Sequence, residues 1–216
     1  MKDNEKKVNY INCIRYNRKK KVGITLTTAL ENNVVRLRQM VKEDAEALWE
    51  IGQDDRIWTY LSITPRSLEA IEVYINEALA NPAEFPMVII DMTTNAIVGA
   101  TKFMDIDAKN KTAEIGFTWL TPSVWGTAIN CNAKYLLLTY AFEQWGLRRV
   151  TIKTDAENIA SCKAIEAIGA TKEGVLRNHR IRKDGKNRDT AIYSVIEEEW
   201  PQVKVKLGER CATKNI

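Results

Sequence analysis

The run Glu114-Ile-Gly-Phe-Thr-Trp-Leu120, followed by Thr121-Pro-Ser-Val-Trp-Gly126-Thr-Ala-Ile-Asn130, decides the fold. Its first part, with Thr112 and Ala113, has the β-branched and aromatic content of a strand. Thr121-Pro122 stops that strand, and Gly126 marks a short turn. From about Thr127 to Trp145 the apolar spacing predicts a long amphipathic helix that buries Ala133, Leu137, Tyr140, Ala141 and Trp145. A glycine there lets backbone come close to a ligand, and the helix start leaves N–H groups without intrahelical partners. Such donors, at the positive end of the helix dipole, form an anion seat without any lysine. The turn is neither a phosphate loop of the Gly-Lys-Ser/Thr type nor a GxGxxG dinucleotide turn.

Working outward, Val34–Met40 alternates apolar and charged residues as a half-buried strand does, with a weaker strand signal at Ile24–Leu30. Helices are predicted over Asp44–Ile51 and after Pro65, where Leu68, Ile71, Ile75 and Leu79 share a face. Strands follow at Pro86–Asp91, Ala96–Asp105 and Thr112–Leu120, the last two joined by the polar loop Asp107–Lys111. Beyond the long helix come a strand at Arg149–Thr154 and a short helix capped by Asn158 and closed by Gly169. A hairpin, Thr171–Arg182 with Asn187–Glu197, turns at Lys183-Asp184-Gly185-Lys186. The order implies an α/β (α+β) fold on one mixed, mostly antiparallel sheet flanked by helices. Residues 1–33 read as a basic N-terminal extension, 34–200 as the domain, and 201–216 as a helical or frayed tail.

The chain has 216 residues, 45% hydrophobic and 28% charged, which is the composition of one globular domain with a full core. No segment has the roughly 18 apolar residues of a membrane span, and the N-terminus lacks the apolar region of a secretory signal. Cys13, Cys131, Cys162 and Cys211 are scattered without a CxxC pair, and His179 is the single histidine. These features predict reduced thiols, no metal and a cytoplasmic protein. Eight Lys and Arg against three Asp and Glu fall in residues 1–33, so the net charge of +4 belongs to that extension. The domain therefore gains no charge-based support for nucleic-acid binding. Arg15, Arg18, Lys19, Lys20 and Lys21 are the part suited to RNA or an acidic surface.

Three motifs in order carry a family resemblance: Glu114-Ile-Gly-Phe-Thr-Trp-Leu, Ser123-Val-Trp-Gly126-Thr-Ala128, and Asn158-Ile-Ala-Ser161 through Gly169-Ala170. Together they resemble the GNAT superfamily, and within it the ribosomal-protein N-terminal acetyltransferases (RimJ/RimL-like), over about residues 34–200. The resemblance implies a GNAT-like acyl-CoA N-acyltransferase fold with acetyl-CoA as co-substrate and no metal. The family's pyrophosphate loop, Gln/Arg-x-x-Gly-x-Gly/Ala, falls on Ser123 to Ala128. Backbone N–H groups from Trp125 through Gly126, Thr127, Ala128 and Ile129 to Asn130 would then hold the diphosphate. The strand from Phe117 through Trp119 to Leu120 would pair by backbone with the pantetheine arm and place the thioester near Glu114. Asn158 and Ser161 would face the sulfur, and Lys163 the phosphates. Ser123 departs from the family's Gln/Arg. Ile165 stands where many members have a tyrosine that protonates the leaving thiolate, which makes Ser161 the nearest substitute.

The reaction implied is direct attack of a neutral amine on the thioester carbon. From reference pKa values an α-amino group is roughly 15% neutral at pH 7 and a lysine about 0.04%, a difference on the order of 3 kcal/mol. A protein N-terminus of the ribosomal-protein type is therefore the less demanding acceptor. A small amine (polyamine, amino acid or aminoglycoside) and a non-catalytic acyl-CoA-binding domain are the alternatives. Glu114 is the candidate general base, against a plain role in satisfying local backbone. Glu143, Glu166 and Glu173 lie on segments aimed less well, and Cys131 lacks a base for acyl transfer. Trp58 and Tyr60, in the helical region that closes the acceptor cleft in the family, and His179 on the final hairpin are the candidate acceptor contacts, against a plain core role for the two aromatics. Homodimer formation is left open.

Overall fold

The computed structural model describes residues 29–214, so the basic segment and most of the Ile24–Leu30 strand lie outside it. One eight-stranded sheet runs in the order β1-β2-β3-β4-β5-β6-β8-β7. Its strands are β1 (Leu30–Glu31), β2 (Val35–Gln39), β3 (Phe85–Asp91), β4 (Ala96–Asp107), β5 (Thr112–Leu120), β6 (Arg149–Asp155), β7 (Thr171–Ile181) and β8 (Asn187–Ile196). Neighbours are antiparallel except β5 and β6, which run parallel. The mixed, mostly antiparallel sheet expected from the order of elements is therefore present.

Helices cover both faces. α1 (Ala45–Ile51), α2 (Asp55–Trp58) and α3 (Leu68–Ala80) lie on one side, and α4 (Ile129–Thr139), α5 (Ile159–Glu166) and α6 (Trp200–Lys214) on the other. Burial on both faces explains the unbroken apolar run Phe85–Ile90. Phe85, Met87 and Ile89 join the core under α4 and α6, while Val88 and Ile90 join Ile71 and Ile75 under α3. Ser67 caps α3 by accepting the Ala70 N–H at 3.2 Å.

Two features, the π turn and the disulfide, differ from the sequence reading, and the C-terminal tail takes the helical of its two expected forms. The long helix is α-helical only to Thr139, and Tyr140–Gln144 forms a π turn before Gly146 at φ +61°. The C-terminal segment is a 15-residue helix whose Trp200, Val203, Leu207 and Cys211 enter the main core. Cys131 and Cys211 form a disulfide between α4 and α6, not two thiols. Their 80-residue separation hides in sequence a contact that helix packing creates. Cys162 is a half-buried thiol, and Cys13 lies outside the described residues.

Candidate active site

β5 and β6 share only a short ladder, Thr112–Glu114 against Arg149–Thr151. Beyond it β6 continues with β8 alone, and β5 from Ile115 onward keeps only β4 as a neighbour. The strands thus part just after Glu114 and expose one edge of β5 to a gap. A β-bulge sits in the opposite, paired edge of β5: the register against β4 shifts between Ala100 and Lys102, and Phe117 has φ +48°. The extra residue reverses the alternation, so Ile115 faces the α4 core and Trp119, four residues on, faces the α3 core.

The gap leads to the turn between β5 and α4. A 3₁₀ turn at Pro122–Val124 is followed by Gly126 at φ +77°, where an added Cβ would meet no heavy atom within 4 Å. Three of the N–H groups from Trp125 to Ile129 have internal acceptors. Trp125 N–H donates to the Pro122 carbonyl (3.1 Å), Thr127 N–H to that of Val124 (3.4 Å), and Ile129 N–H to Thr127 Oγ1 (3.3 Å). The N–H groups of Gly126, Ala128 and Asn130 make no such bond among the described residues. The donor set of the turn is thus an alternating three, fewer than the continuous run the sequence suggested. The Trp125 indole folds back to donate to the Leu120 carbonyl at 2.8 Å, and Arg56 stacks over its ring at 5.4 Å. Lys214 reaches over from α6 and donates to the Gly126 carbonyl at 3.0 Å.

Glu114 is buried at the point where the strands part, with Lys153 Nζ 2.5 Å from its Oε2. No hydrogen bond joins the two groups, so the contact is an ion pair. Asp105 is a more distant partner of Lys153, at 3.8 Å. The other acidic residues weighed from sequence are engaged elsewhere. Glu143 accepts from Trp200 and Lys204, Glu166 from the Tyr193 hydroxyl, and Glu173 from Arg149 and Ser194. Arg149 holds the Glu173 carboxyl down at about 2, chiefly through hydrogen bonds.

Asn158 caps α5, its side chain accepting the Ser161 N–H at 3.0 Å. The Ser161 hydroxyl makes no bond among the described residues. Lys163 is exposed, and Ile165 is buried in the main core. Trp58 is a correction. Its indole is 1% exposed, donates to the Gly52 carbonyl at 2.7 Å and packs on Trp119 at 4.9 Å between ring centres. A side chain so enclosed does not line a pocket; Tyr60, two residues on, does. Tyr60 lines a cavity of about 450 Å³ and donates to the Glu157 carbonyl at 3.3 Å. His179 lies apart from it, in an open depression on β7, with Nδ1 3.1 Å from Thr190 Oγ1.

Sequence reading missed two polar groups. The β6 alternation Arg149, Thr151, Lys153, Asp155 puts four polar side chains on one face, and that pattern could have revealed Lys153. Lys134 is the second. Fully buried on α4, it donates to Thr118 Oγ1 at 2.7 Å, and Thr118 in turn meets Thr101 at 2.7 Å. Asn130 lies one turn earlier on the same helix face, with its Oδ1 buried and unpartnered. Desolvation alone lowers the Lys134 ammonium to about 7. Between that value and lysine's ordinary one the unfolded chain binds a proton that the folded chain does not, so stability rises with pH across this window. Below about 7 the cost of charging the buried amine is present in full. Lys134→Met is therefore expected to be more stable than the parent at pH 7, by about 2 kcal/mol once the lost Thr118 bond is deducted. It is also expected to lose most of the upward slope between pH 7 and 10. Urea unfolding at several pH values checks both.

The parted strands β5 and β6 thus lie beside a glycine turn whose helix-start amides at Gly126, Ala128 and Asn130 lack protein acceptors among the described residues, an arrangement suited to an anionic ligand. The acetyltransferase (GNAT) domain family matches residues 35–171. The chain is 30% identical over 169 residues to the N-acetyltransferase p20 of Bacillus licheniformis, a protein itself uncharacterised, covering 76% of this chain and 93% of that one. It is 28% identical over 179 residues to YdaF of Bacillus subtilis (strain 168), named as a proposed ribosomal N-acetyltransferase, covering 80% and 97%. The structure of the microcin C7 self-immunity acetyltransferase MccE, in complex with acetyl-CoA and AMP, superposes with TM-score 0.69 at 26% identity, covering 76% and 93%. This chain belongs to the GNAT acetyltransferase family and is an N-acetyltransferase. Among the described residues no helix is long and apolar enough to cross a membrane, and no group of three or more His, Cys, Asp or Glu could hold a metal ion.

Proposed function

We propose that the enzyme moves an acetyl group from acetyl-CoA to the α-amino terminus of a protein. One observation carries the reading: an unpaired β5 edge runs from the free amides at the start of α4 to buried Glu114. The residues fit the co-substrate. The N–H groups of Gly126, Ala128 and Asn130 would hold its diphosphate, and exposed Lys163 would add charge nearby. The β5 backbone from Phe117 to Trp119 would align its arm; the Leu120 carbonyl already serves the Trp125 indole. When bound, acetyl-CoA supplies an acetyl group activated as a thioester. Glu114 accepts the proton that the acceptor ammonium must lose, directly or through a water, and the freed nitrogen forms the new C–N bond. As the C–S bond breaks, the acylated nitrogen releases its second proton to solvent, and the Ser161 hydroxyl donates a proton to the leaving sulfur and regains one from solvent, so the products are the amide, the free thiol and the one proton held by Glu114. The name of YdaF points to a ribosomal acceptor and supports the terminal amine.

Assaying acetylation of peptides, polyamines, amino acids and aminoglycosides side by side tests this. Peptide N-termini are expected to be used with at least roughly tenfold higher kcat/KM than any small amine, in line with their lower deprotonation demand. Turnover confined to small amines would overturn the protein-terminus reading.

A further inference from the structure

The cavity beside Tyr60 lies between the chain after α2 (residues 59–62) and the β7–β8 hairpin. Its lining holds four cations, Arg180, Arg182, Lys183 and Arg188, against one carboxylate, Asp155. Glu157 reaches Arg182 from the rim at 2.8 Å, which leaves an excess of two positive charges. These cations are not equally satisfied. Arg182 is fully engaged, with two 2.8 Å hydrogen bonds to Asp155. Lys183 donates to the Trp58 carbonyl at 2.6 Å and to Thr64, with no carboxylate in contact. Arg188 lies directly across the ladder from Arg180. Its Nε is buried without a hydrogen bond, 3.7 Å from the Asp155 oxygen that Arg182 already occupies. Arg180 has no ion pair among the described residues.

Two guanidinium groups directly opposed on neighbouring strands destabilise the sheet. A buried donor without a partner adds a further cost. Neither feature helps the chain to fold, so both indicate a ligand that supplies the missing negative charge. Burial pushes the Arg188 guanidinium down, which is the signature of a charge that water does not solvate. Asp155 on the cavity wall lies on β6 two residues from Lys153, whose ammonium pairs with Glu114, so one strand links the cavity to the candidate base.

We infer that the acceptor carries a carboxylate close to its amine, and that Arg180 and Arg188 bind this carboxylate while the amine faces Glu114. The inference rests on the N-acetyltransferase reading and deepens it by naming the acceptor's chemistry. Planar guanidinium groups with open donors match a carboxylate bidentately, which a polyamine cannot reproduce. Two sources would provide it: an acidic side chain next to a peptide's N-terminus, or the carboxylate of an amino-acid-like small molecule.

The experiment uses the full chain, acetyl-CoA and mass-spectrometric detection of product. One arm compares peptides identical except for Asp, Asn or Lys at the second position; the other compares free amino acids with their amides, and with spermidine. The Asp peptide is expected to exceed the Asn peptide in kcat/KM by roughly tenfold or more, a charge-assisted hydrogen bond's contribution, and the Lys peptide by more. Arg188→Gln is expected to reduce the Asp-to-Asn ratio to about two or less, and Arg188→Lys to recover part of it. Arg180→Gln, on the exposed edge strand, gives a second variant should Arg188→Gln fold poorly. A parent ratio near one, or a ratio that neither variant moves, overturns the inference while leaving the peptide acceptor intact. Use of amino acids over their amides, without peptide turnover, sustains the carboxylate and ends the protein-terminus reading. Turnover of spermidine alone ends both.

Discussion

Gly126→Trp is expected to weaken acetyl-CoA binding by at least about 100-fold, equivalent to about 2.7 kcal/mol, while leaving the fold largely intact. Gly126 has φ +77°, a region that costs an L-residue roughly 1–2 kcal/mol. For a domain of this size that strain lowers Tm by only about 2–8 °C. No heavy atom lies within 4 Å of the position a Cβ would take, so nothing in the folded chain collides with a new side chain. That open space adjoins the turn that carries the free N–H groups of Gly126, Ala128 and Asn130. An indole placed there would exclude the diphosphate. Gly126→Ala separates the two effects, because it carries the same backbone strain with almost none of the bulk. Titration calorimetry with acetyl-CoA is expected to give a loss of about tenfold for Ala and 100-fold or more for Trp. Equal losses would assign the effect to strain alone, and unchanged affinity for Trp would remove the turn as the seat.

The same turn shows how far sequence reading reached. Thr112–Leu120, the break at Thr121-Pro122 and the helix beyond Gly126 were legible because apolar period, proline and glycine all changed within a few residues. The face of β5 was not. A bulge at Phe117 reverses the alternation, and only the β4 register reveals it. Trp58 was misplaced for a related reason. The four-residue α2 is too short to show a helical period, so the sequence offered a core and a pocket position for its tryptophan without deciding between them, and the structure turns it inward onto Trp119. Partnerships across the sheet were the least legible. Lys153 beside Glu114, Lys134 on Thr118 and Arg188 opposite Arg180 each depend on strand or helix neighbours far apart in sequence. A periodic pattern indicates which face a residue takes, and it carries no information about what waits on that face.

Lys153 in particular changes what Glu114 can be asked to do, and it sharpens the second large prediction. Glu114→Gln is expected to lower kcat/KM for a peptide acceptor about 100-fold at pH 7, the lower part of the range for general-base catalysis. The deficit should shrink as pH rises through the acceptor's own titration, because solvent then supplies the neutral amine. A terminal amine is roughly 15% neutral at pH 7 and about 95% neutral at pH 9. Losing the carboxylate also strands Lys153, whose remaining carboxylate contact is Asp105 at 3.8 Å. Lys153 is 28% exposed and can turn toward water, so this structural cost is modest. Lys153→Met provides the discriminating comparison, since it breaks the same ion pair and keeps the carboxylate. If Glu114 acts as base, Lys153→Met should lose no more than about tenfold, with a pH profile of the parent's shape. If the ion pair merely braces the parting of β5 from β6, the two variants should lose activity equally and at every pH. Parallel pH–rate curves for parent and Glu114→Gln would therefore reassign Glu114 from proton acceptor to brace.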